Sequence, residues 1–234
     1  MTQHNHHNTK RVITLFILCV LGVFVVGFRP TTPVALIMKI IPDVTKKSAS
    51  IDWNTAKKTE PLYSGDQVHT GKNALAIIKF MDNSIVRVRE LSDLTINGEK
   101  SEGKFTKTVD INNGAFGFEV KKQKIEQFRL TSPTSIASIR GTKGKLSRGN
   151  GKDTLVVTEG LVNLKNKFSN KDIDVPAGFI GFSNEDGTLS SRQATDQELA
   201  DASNAANGGS TNDLNIELKD TKGNKKDLKI KFKQ

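Results

Sequence analysis

Residues 138–157, "SIRGTKGKLSRGNGKDTLVV", combine four glycines with five cations, and they pose the first question about the fold. A phosphate-binding loop would explain them, but it needs a strand, then Gly-x-x-x-x-Gly-Lys-Ser/Thr, then a helix. No glycine in the stretch has that spacing, and β-branched "TLVV" follows where the helix would begin. The dinucleotide-binding pattern fails for the same reason. The glycines therefore indicate turns between strands, with "RGNGKD" (148–153) as a hairpin tip.

The sequence on both sides consists of short apolar runs broken by turn residues at a spacing of about ten residues, which predicts an all-β, antiparallel domain. "LYSGDQVHTG" (62–71) contains two turns around one short strand. "ALAIIKFMDNSIVRVRE" (74–90) is a hairpin with Asp82 and Asn83 at its tip, because these residues tolerate a left-handed backbone. The other predicted strands lie in "VALIMKII" (34–41), "DLTING" (93–98), "FTKTVDINNGAFGFEV" (105–120), "QFRLTSP" (127–133), "TSIASIRGT" (134–142), "DTLVVTEGLVNLKN" (153–166) and "IDVPAGFIGFS" (173–183).

The titratable and nucleophilic residues argue against catalysis. The only cysteine, Cys19, lies in an apolar run, so neither an internal disulfide nor a cysteine-rich metal site can form. Catalysis through a Cys–His or Ser–His pair would have to use His69, which we expect to be a half-exposed residue in a turn. There is no motif of paired carboxylates, metal ligands or nucleophiles. We therefore expect a protein that is not an enzyme and that needs no cofactor or metal.

The net charge of +10 permits an anionic partner without naming one. Nucleic acid is disfavoured because there is no zinc-finger spacing, and because Tyr63 and Trp53 do not lie in a basic aromatic strip. The charge balance therefore leaves an acidic protein, an acidic polysaccharide or lipid headgroups as candidates.

The N-terminal region predicts export. Residues 12–28 carry no charge over seventeen positions, which suits either a transmembrane anchor or a signal peptide. Lys10 and Arg11 precede them, so the short start, residues 1–11, is expected in the cytoplasm. We expect a single-pass protein of a bacterial inner membrane with its domain on the periplasmic side, or an exported protein if the segment is cleaved. The alternative is a buried helix of a soluble protein.

The C-terminal region, after residue 182, differs from the β pattern before it. Residues 183–213 are expected to hold a short helix and a linker, since Thr195 and Glu198 form a capping box ahead of a helix over 195–203. Residues 214–233 alternate apolar and polar side chains and predict a β-hairpin. Its lysines either protect an edge strand or dock an acidic partner or surface. The weak partner-binding candidates among them are Lys225, Lys226, Lys229 and Lys231.

Over residues 34–182 the chain resembles the FecR domain, a β-rich extracytoplasmic module of bacterial envelope proteins. The matching pieces occur in order: "PLYSGDQVHTG", "ALAIIKFMDNSIVRV", "LTING", "NGAFGFEV", "FRLTSPTSIASIRGTKGKL", "TLVVTEGLVNLKN" and "VPAGFIGF". The residues that carry the resemblance suggest mainly structural roles in turns, caps and close backbone approaches. A contact with a ligand is the alternative for each. They are Gly65, Asp66, Thr70, Gly71, Asp82, Arg140, Gly141, Thr142, Glu159 and Gly160.

The resemblance implies a role in the envelope. The best-known FecR proteins transmit iron-siderophore signals and hold a sigma factor with a cytoplasmic N-terminal segment. Residues 1–11 are too short for such a segment. The leading hypothesis is therefore a non-catalytic module that binds another envelope protein or a glycan, as a scaffold or sensor component. One alternative is a transmembrane sigma-factor regulator that works with a separate cytoplasmic subunit. Another is an envelope enzyme acting on polysaccharide.

Overall fold

The computed structural model describes residues 32–49, 51–101, 104–122, 127–207, 213–219 and 225–231. The predicted anchor or signal peptide, residues 12–28, and the cytoplasmic start, residues 1–11, lie outside this part. Within the described residues, no helix has the length and apolar character to span a membrane.

Nineteen strands and one helix make up the described residues. In chain order they are β1 (Ala35–Ile41), β2 (Val44–Ser48), β3 (Ile51–Thr55), β4 (Pro61–Leu62), β5 (Asp66–Thr70), β6 (Leu75–Phe80), β7 (Ile85–Val88), β8 (Ser92–Ser101), β9 (Lys104–Glu119), β10 (Gln127–Thr131), β11 (Ser135–Ile139), β12 (Lys143–Gly149), β13 (Lys152–Glu159), β14 (Leu161–Asn166), β15 (Asp172–Pro176), β16 (Phe179–Asn184), β17 (Leu189–Gln193), α1 (Asp196–Asn207), β18 (Asp213–Lys219) and β19 (Lys225–Lys231). The all-β class predicted from the sequence is confirmed.

Two sheets share the long strand β9. Sheet I has the strand order β4-β1-β6-β7-β9-β12-β13-β16-β17. Sheet II has the order β3-β2-β5-β8-β9-β10-β11-β14-β15. All these pairs are antiparallel except β9–β10, which is parallel and differs from the expected antiparallel pattern. Strands β18 and β19 form a separate two-stranded antiparallel sheet.

Strand β9 changes sheets at Gly114. Its residues up to Asn113 pair with β8 in sheet II, and its residues from Gly114 pair with β12 in sheet I. Gly114 has a φ of 95°, a backbone conformation that side chains with a Cβ rarely adopt. The β8–β9 register shifts beside this point, because Asp93 pairs with Asn113 and Leu94 with Ile111. Asn112 is therefore an extra residue in β9, and bulges of this kind bend the strand that carries them. The bend folds one sheet back over the other.

The core lies between the two sheets. Strand residues alternate between its interior and the outer faces, so Val86 and Val88 of β7 are fully buried on the inner side. Phe80 of sheet I and Phe128 of sheet II meet edge to face with ring centroids 4.9 Å apart. Fully burying such a side chain contributes about 1.5–3 kcal/mol to folding. The apolar positions of the sequence pattern therefore hold both sheets together.

The glycine-rich stretch 138–157 folds as predicted. Strands β12 and β13 pair directly, from Gly144 opposite Val157 to Gly149 opposite Lys152. Their two-residue turn is Asn150-Gly151, with φ values of 51° and 70°, the left-handed conformation that such hairpin turns require. The interpretation as a turn between strands is confirmed.

A buried polar cluster fastens the two sheets to each other next to that hairpin. Asp153 of β13 is fully buried and accepts hydrogen bonds from Ser132 and, at 2.6 Å, from Ser135 on the sheet II side. Its other carboxylate oxygen accepts a hydrogen bond from Arg148 at 2.9 Å. Arg148 also donates to Thr134 and Glu185. Because every polar side chain named in this cluster has a hydrogen-bond partner within it, we assign the cluster to stability and not to ligand binding.

Three strands do not follow the sequence prediction. Strands β2 and β3 occupy residues between 41 and 62, where no strand was expected, and β17 lies within residues 183–213, which were expected to lack β structure. His69 lies within β5 and not in a turn. The helix extends to Asn207, four residues beyond the predicted end at residue 203. The capping box is present, since Glu198 N donates to Thr195 Oγ1 at 3.3 Å and Thr195 N donates to Glu198 Oε2 at 2.9 Å.

Candidate functional site

The first residues of the FecR resemblance stabilise a turn. Gly65 has a φ of 91°, and the carboxylate of Asp66 accepts a hydrogen bond from Tyr63 N at 3.0 Å. Asp66 also forms a buried ion pair with Lys46 at 3.1 Å, and Lys46 donates to Pro61 O at 2.8 Å. Lys46 and Asp66 are buried and bonded to each other, so the arrangement is structural.

Thr70 and Gly71 hold the end of β5. The hydroxyl of Thr70 donates to Arg89 O at 2.5 Å and accepts a hydrogen bond from Ser92 N at 3.0 Å. A Cβ on Gly71 would lie 2.8 Å from the Cβ of Asp43, so this position needs glycine for a close approach. Both residues fasten β5 to neighbouring segments.

Asp82 lies at the tip of the β6–β7 hairpin and is buried. It accepts hydrogen bonds from Ser84 N at 2.9 Å and from Lys107 Nζ at 2.8 Å. Only 5% of the Asp82 side chain and 2% of the Lys107 side chain are exposed. This buried ion pair connects the hairpin to β9, and removing one partner of such a pair is strongly destabilising.

The last motif residues lie where two turns pass close to each other, at residues 140–142 and 159–160. A Cβ on Gly160 would lie 2.3 Å from Thr142 Cγ2, whereas one on Gly141 would lie 3.0 Å from Lys122 Cβ. The close approach expected at residues 140–142 is therefore most severe at Gly160. Glu159 pairs with Lys143 at 2.9 Å and raises the pKa of that lysine, and Arg140 is exposed. The ten motif residues thus occupy separate turns and do not form one pocket.

The register of the C-terminal hairpin divides its four candidate lysines into two sets. In the β18–β19 register, Lys226 pairs with Leu218, whereas Lys225, Lys229 and Lys231 pair with Lys219, Asn215 and Asp213. Strand residues alternate between faces, so Lys226 shares the register parity of Leu228 and Ile230. A docking strip on one face would consist of the other three.

An exposed aromatic group on the outer face of sheet II is the arrangement that the sequence analysis missed. Trp53 lies on the edge strand β3, and 45% of its surface is exposed. Its ring meets the ring of His69 edge to face, with centroids 6.2 Å apart. The Nδ1 of His69 lies 2.6 Å from Asp93 Oδ1. We call Trp53, His69 and Asp93 the Trp53 patch.

The backbone beneath the Trp53 patch is fixed by side chains of its own strand. Trp53 N donates to Asp52 Oδ1 at 2.9 Å, and Asn54 Nδ2 donates to Asp52 O at 3.2 Å. Lys47 Nζ lies 3.3 Å from the same Asp52 oxygen. The hydrogen bond from Trp53 N, followed by Lys47, lowers the pKa of Asp52. These bonds use backbone groups at the sheet edge, so β3 is capped and Trp53 is held in place.

Hydrogen-bonding capacity remains on the Trp53 patch. A carboxylate can only accept hydrogen bonds, so His69 Nδ1 carries the hydrogen toward Asp93, and in that tautomer Nε2 is an acceptor. Among the described residues, none donates a hydrogen bond to Asp93 Oδ2 or to His69 Nε2. A ligand on Trp53 would therefore find two acceptors beside an aromatic ring.

The described residues offer two further observations on chemistry. They contain no group of three or more His, Cys, Asp or Glu side chains placed to hold a metal ion. A shallow, open groove of about 420 Å³ lies between the β14–β15 and β16–β17 turns and is lined by Phe168, Ser169, Lys171, Glu185, Asp186, Gly187 and Thr188. Glu185 in this groove is paired with Arg148, so the groove continues the structural cluster around Asp153.

Comparison with known proteins supports the resemblance found in the sequence. Residues 66–163 match the family model described as "FecR protein", which confirms the FecR resemblance. The match runs from β5 to β14, within the predicted 34–182. No curated protein matches the chain in sequence.

Two crystal structures, at 1.65 and 2.50 Å resolution, are similar to part of this chain. Both are of a protein from Parabacteroides distasonis ATCC 8503 that is described only provisionally as an anti-sigma factor. Each shares 11% sequence identity with this chain, at a TM-score of 0.49 over 57% of it. The chain spans 62% of the length of these structures. A similarity of this degree carries no information on function.

Proposed function

We propose that this chain is a non-catalytic binding module of the bacterial cell envelope. The FecR match at residues 66–163 supports this proposal. The domain lies outside the inner membrane and is anchored or exported by residues 12–28. It binds a glycan of the envelope on the Trp53 patch and acts as a scaffold or sensor component.

The observation that carries this proposal is the preorganised Trp53 ring. A sugar ring has an apolar face of C–H groups and an edge of hydroxyls, and the patch offers an indole face beside two hydrogen-bond acceptors. Trp and Tyr combine an apolar body with low conformational entropy, so a ring that is already fixed loses little on binding. The bond of Asp52 to Trp53 N orders the backbone at Trp53, and the edge-to-face contact with His69 positions the ring.

The charges around the Trp53 patch favour a neutral ligand. Lys47, on the strand next to β3, is paired with Asp52, and the patch itself contains the carboxylate of Asp93. A phosphate or nucleic acid would meet a carboxylate there, whereas hydroxyls can donate hydrogen bonds to it. The patch therefore suits uncharged sugar units better than anionic polymers.

The same residues do not suit glycan hydrolysis. A glycosidase needs a carboxylic acid whose pKa is raised so that it can protonate the leaving group, together with a second carboxylate. The pKa of Asp52 is lowered, and its oxygen is held by Trp53 N and Lys47. The carboxylate of the Trp53 patch itself is Asp93, so the arrangement lacks the required pair and favours binding over cleavage.

Tryptophan fluorescence of the full chain tests glycan binding, because Trp53 is its only tryptophan. The chain in detergent is titrated with chitotetraose and with soluble peptidoglycan fragments. We expect a saturable shift of the emission with at least one of them. The substitution Asp93→Ala should weaken the apparent affinity at least tenfold, and Thr188→Ala in the separate groove should not change it. Emission that stays constant with both glycans would contradict glycan binding at the Trp53 patch.

Topology is tested by fusions after residue 234. Lys10 and Arg11 ahead of an uncharged segment place the N-terminus inside. An alkaline phosphatase fusion should be active and a β-galactosidase fusion inactive. The opposite pair of activities would place the domain in the cytoplasm, whatever the glycan titration gives.

A second candidate is a transmembrane regulator of a sigma factor that works with a separate cytoplasmic subunit. The FecR match is the observation that favours it. Crosslinking of membranes from cells that express a C-terminally tagged chain would distinguish the two. Recovery of one cytoplasmic regulatory subunit in a fixed ratio supports regulation, and recovery of cell-wall fragments supports glycan binding.

A further inference from the structure

Arg87 is a buried cation with unused hydrogen-bond donors on the outer face of sheet I. It lies on β7 directly opposite Gly117 of β9, and only 9% of it is exposed. Its Nε and Nη1 atoms are buried and have no hydrogen-bond partner. Burial lowers the pKa of Arg87, but a guanidinium keeps its proton in proteins.

Two unbonded guanidinium nitrogens in such a place are unusual, because the large majority of buried side-chain polar atoms are hydrogen-bonded. The carboxylate that acts on Arg87 is Glu119, whose charge opposes the effect of burial on the pKa of Arg87. Glu119 accepts its hydrogen bond from Lys121 at 2.6 Å, and Asp201 of α1 accepts one from Lys145 at 2.5 Å. Nε and Nη1 of Arg87 therefore remain without the hydrogen-bonded carboxylate that a buried arginine normally has.

Helix α1 is the element that covers this face. A Cβ on Gly117 would lie 2.1 Å from Ala205 O, so the helix backbone touches the sheet at the position opposite Arg87. The buried residues of the helix are the small side chains Ala202, Ala205 and Ala206. Its last turn contains no basic residue, so Arg87 is a cation near the negative end of the helix.

The two ends of α1 are held differently. At the first turn, Arg192 donates to Glu198 at 2.8 and 2.9 Å, Thr195 forms the capping box, and Ala194 N donates to Gly178 O. Toward the last turn the contacts are alanines against the sheet, over Arg87, whose Nε and Nη1 make no hydrogen bond. A helix of twelve residues has little stability of its own. Opening would therefore begin at the C-terminal end and leave the first turn attached.

We propose that α1 is a displaceable cover, and that the strip beneath it, centred on Arg87, binds an acidic amphipathic helix of a partner protein in its place. The strip is defined by Arg87, Gly117 and Lys145. Its present occupant already shows the required chemistry, since Asp196, Glu198 and Asp201 are acidic and its buried side chains are small. A partner helix that places a carboxylate at Arg87 gains a bond that α1 does not make. This site is on the sheet opposite the Trp53 patch and does not depend on glycan binding.

A pair of peptides tests the binding strip with the unaltered full chain. Both have the sequence of residues 194–207, "ATDQELADASNAAN", with a fluorescent label at the N-terminus. One ends in a free carboxylate and the other in an amide, so only the first brings a charge to the position above Arg87. We expect the carboxylate form to bind at least tenfold more tightly by fluorescence anisotropy at low salt. Salt should weaken that binding.

The variant Arg87→Met should remove the difference between the two peptides. Equal binding of both forms to the unaltered chain, or no binding of either, would overturn the proposal. A preference for the carboxylate that persists in Arg87→Met would also overturn it, because the charge would then be recognised elsewhere.

Hydrogen exchange tests whether the cover opens. In the unaltered chain, amides of residues 202–207 should exchange at least tenfold faster than those of β12. The variant Gly117→Ala forces a Cβ toward Ala205 O and should accelerate them further. Gly149→Ala is the matched control, because a Cβ at Gly149 meets nothing within 4 Å. Helix amides protected as strongly as those of β12 would show that α1 is a fixed part of the domain.

Discussion

The two outer faces of the sandwich differ in how their polar groups are satisfied. On sheet II the outward side chains bond to each other, as Asn97 does with Asp110 at 2.6 Å and Asn163 with Asp172 at 2.9 Å. On sheet I the outward row contains Gly117 and Val156, and helix α1 covers it. The first face is complete without a cover, and the second is not.

This difference indicates where each face can act. On sheet II the exposed apolar side chains include Ile51 and Leu161, and Trp53 adds an aromatic ring to them. A ligand there meets a surface whose polar side chains are already paired. Sheet I has its apolar and small residues under a helix, so a ligand there must first displace the helix. Rigid sites lose less entropy on binding, whereas covered sites can be regulated.

The largest effect should come from the interior that holds both faces in place. The substitution Asp153→Asn removes the charge that Arg148 pairs with while keeping the size of the side chain. Breaking one partner of a buried ion pair costs about 3–5 kcal/mol. Urea denaturation measures the loss, and Asp174→Asn at an exposed position of β15 is the control. A loss as small as that of the control would mean that the sheets are held by apolar contacts alone.

The substitution Gly117→Ala tests how closely helix α1 packs on sheet I. We expect Gly117→Ala to destabilise the protein by about 1–3 kcal/mol, the range for forcing an extra methyl group into a packed site. Gly149→Ala on the neighbouring strand should change stability by about 0.5 kcal/mol or less. Circular dichroism and urea denaturation give both values. If the two variants are equally stable, α1 does not lie tightly on sheet I.

The strands could be predicted from the sequence where the local pattern was strong. The hairpins β6–β7 and β12–β13 were predicted because apolar alternation and turn residues coincide there, and Asn83 and Asn150 both have positive φ values. Strand β3 was missed because "IDWNT" has only two apolar residues, follows two lysines, and is stabilised by pairing with β2. Tertiary pairing decided its conformation, and local propensity did not.

The candidate sites were harder to predict than the fold. His69 and Asp93 are 24 residues apart in the sequence, and only the β5–β8 register places them side by side. Arg87 follows the alternating pattern of an ordinary exposed strand position, and nothing local shows that a helix more than a hundred residues later buries it. Motif residues such as Asp66 and Asp82 carry the family resemblance in the sequence. In the structure each forms a buried ion pair, which the sequence pattern did not predict. Neither site has a signal within one segment of sequence.

Acid should loosen the first turn of the cover on sheet I. The hydrogen bonds from Arg192 and from the backbone of Thr195 lower the pKa of Glu198 from 4.5 to about 2. A lowered pKa in the folded state means that the stabilisation is fully present above pH 4.5 and is lost as the pH falls through about 2. Carbon chemical shifts of residues 196–200 should therefore move toward coil values over that interval.

The variant Glu198→Gln is the control for this acid effect. It should begin with a less ordered first turn and show no further change in that interval. Helical shifts in the unaltered chain that stay constant down to pH 2 would mean that the pair with Arg192 does not hold the helix. Either way, the signals of Trp53 report sheet II in the same titration.

The smallest effect on stability should come from Trp53, and it separates the two faces most clearly. Because the ring is half exposed and contacts His69 only at its edge, Trp53→Ala should cost about 1 kcal/mol or less. Glycan binding measured by calorimetry should nevertheless disappear, since the ring supplies the surface on which a sugar would lie. Trp53→Phe should restore part of the binding, because it keeps an aromatic face. A large loss of stability in Trp53→Ala would instead show that the ring packs as part of the domain, and sheet II would then have no prepared site.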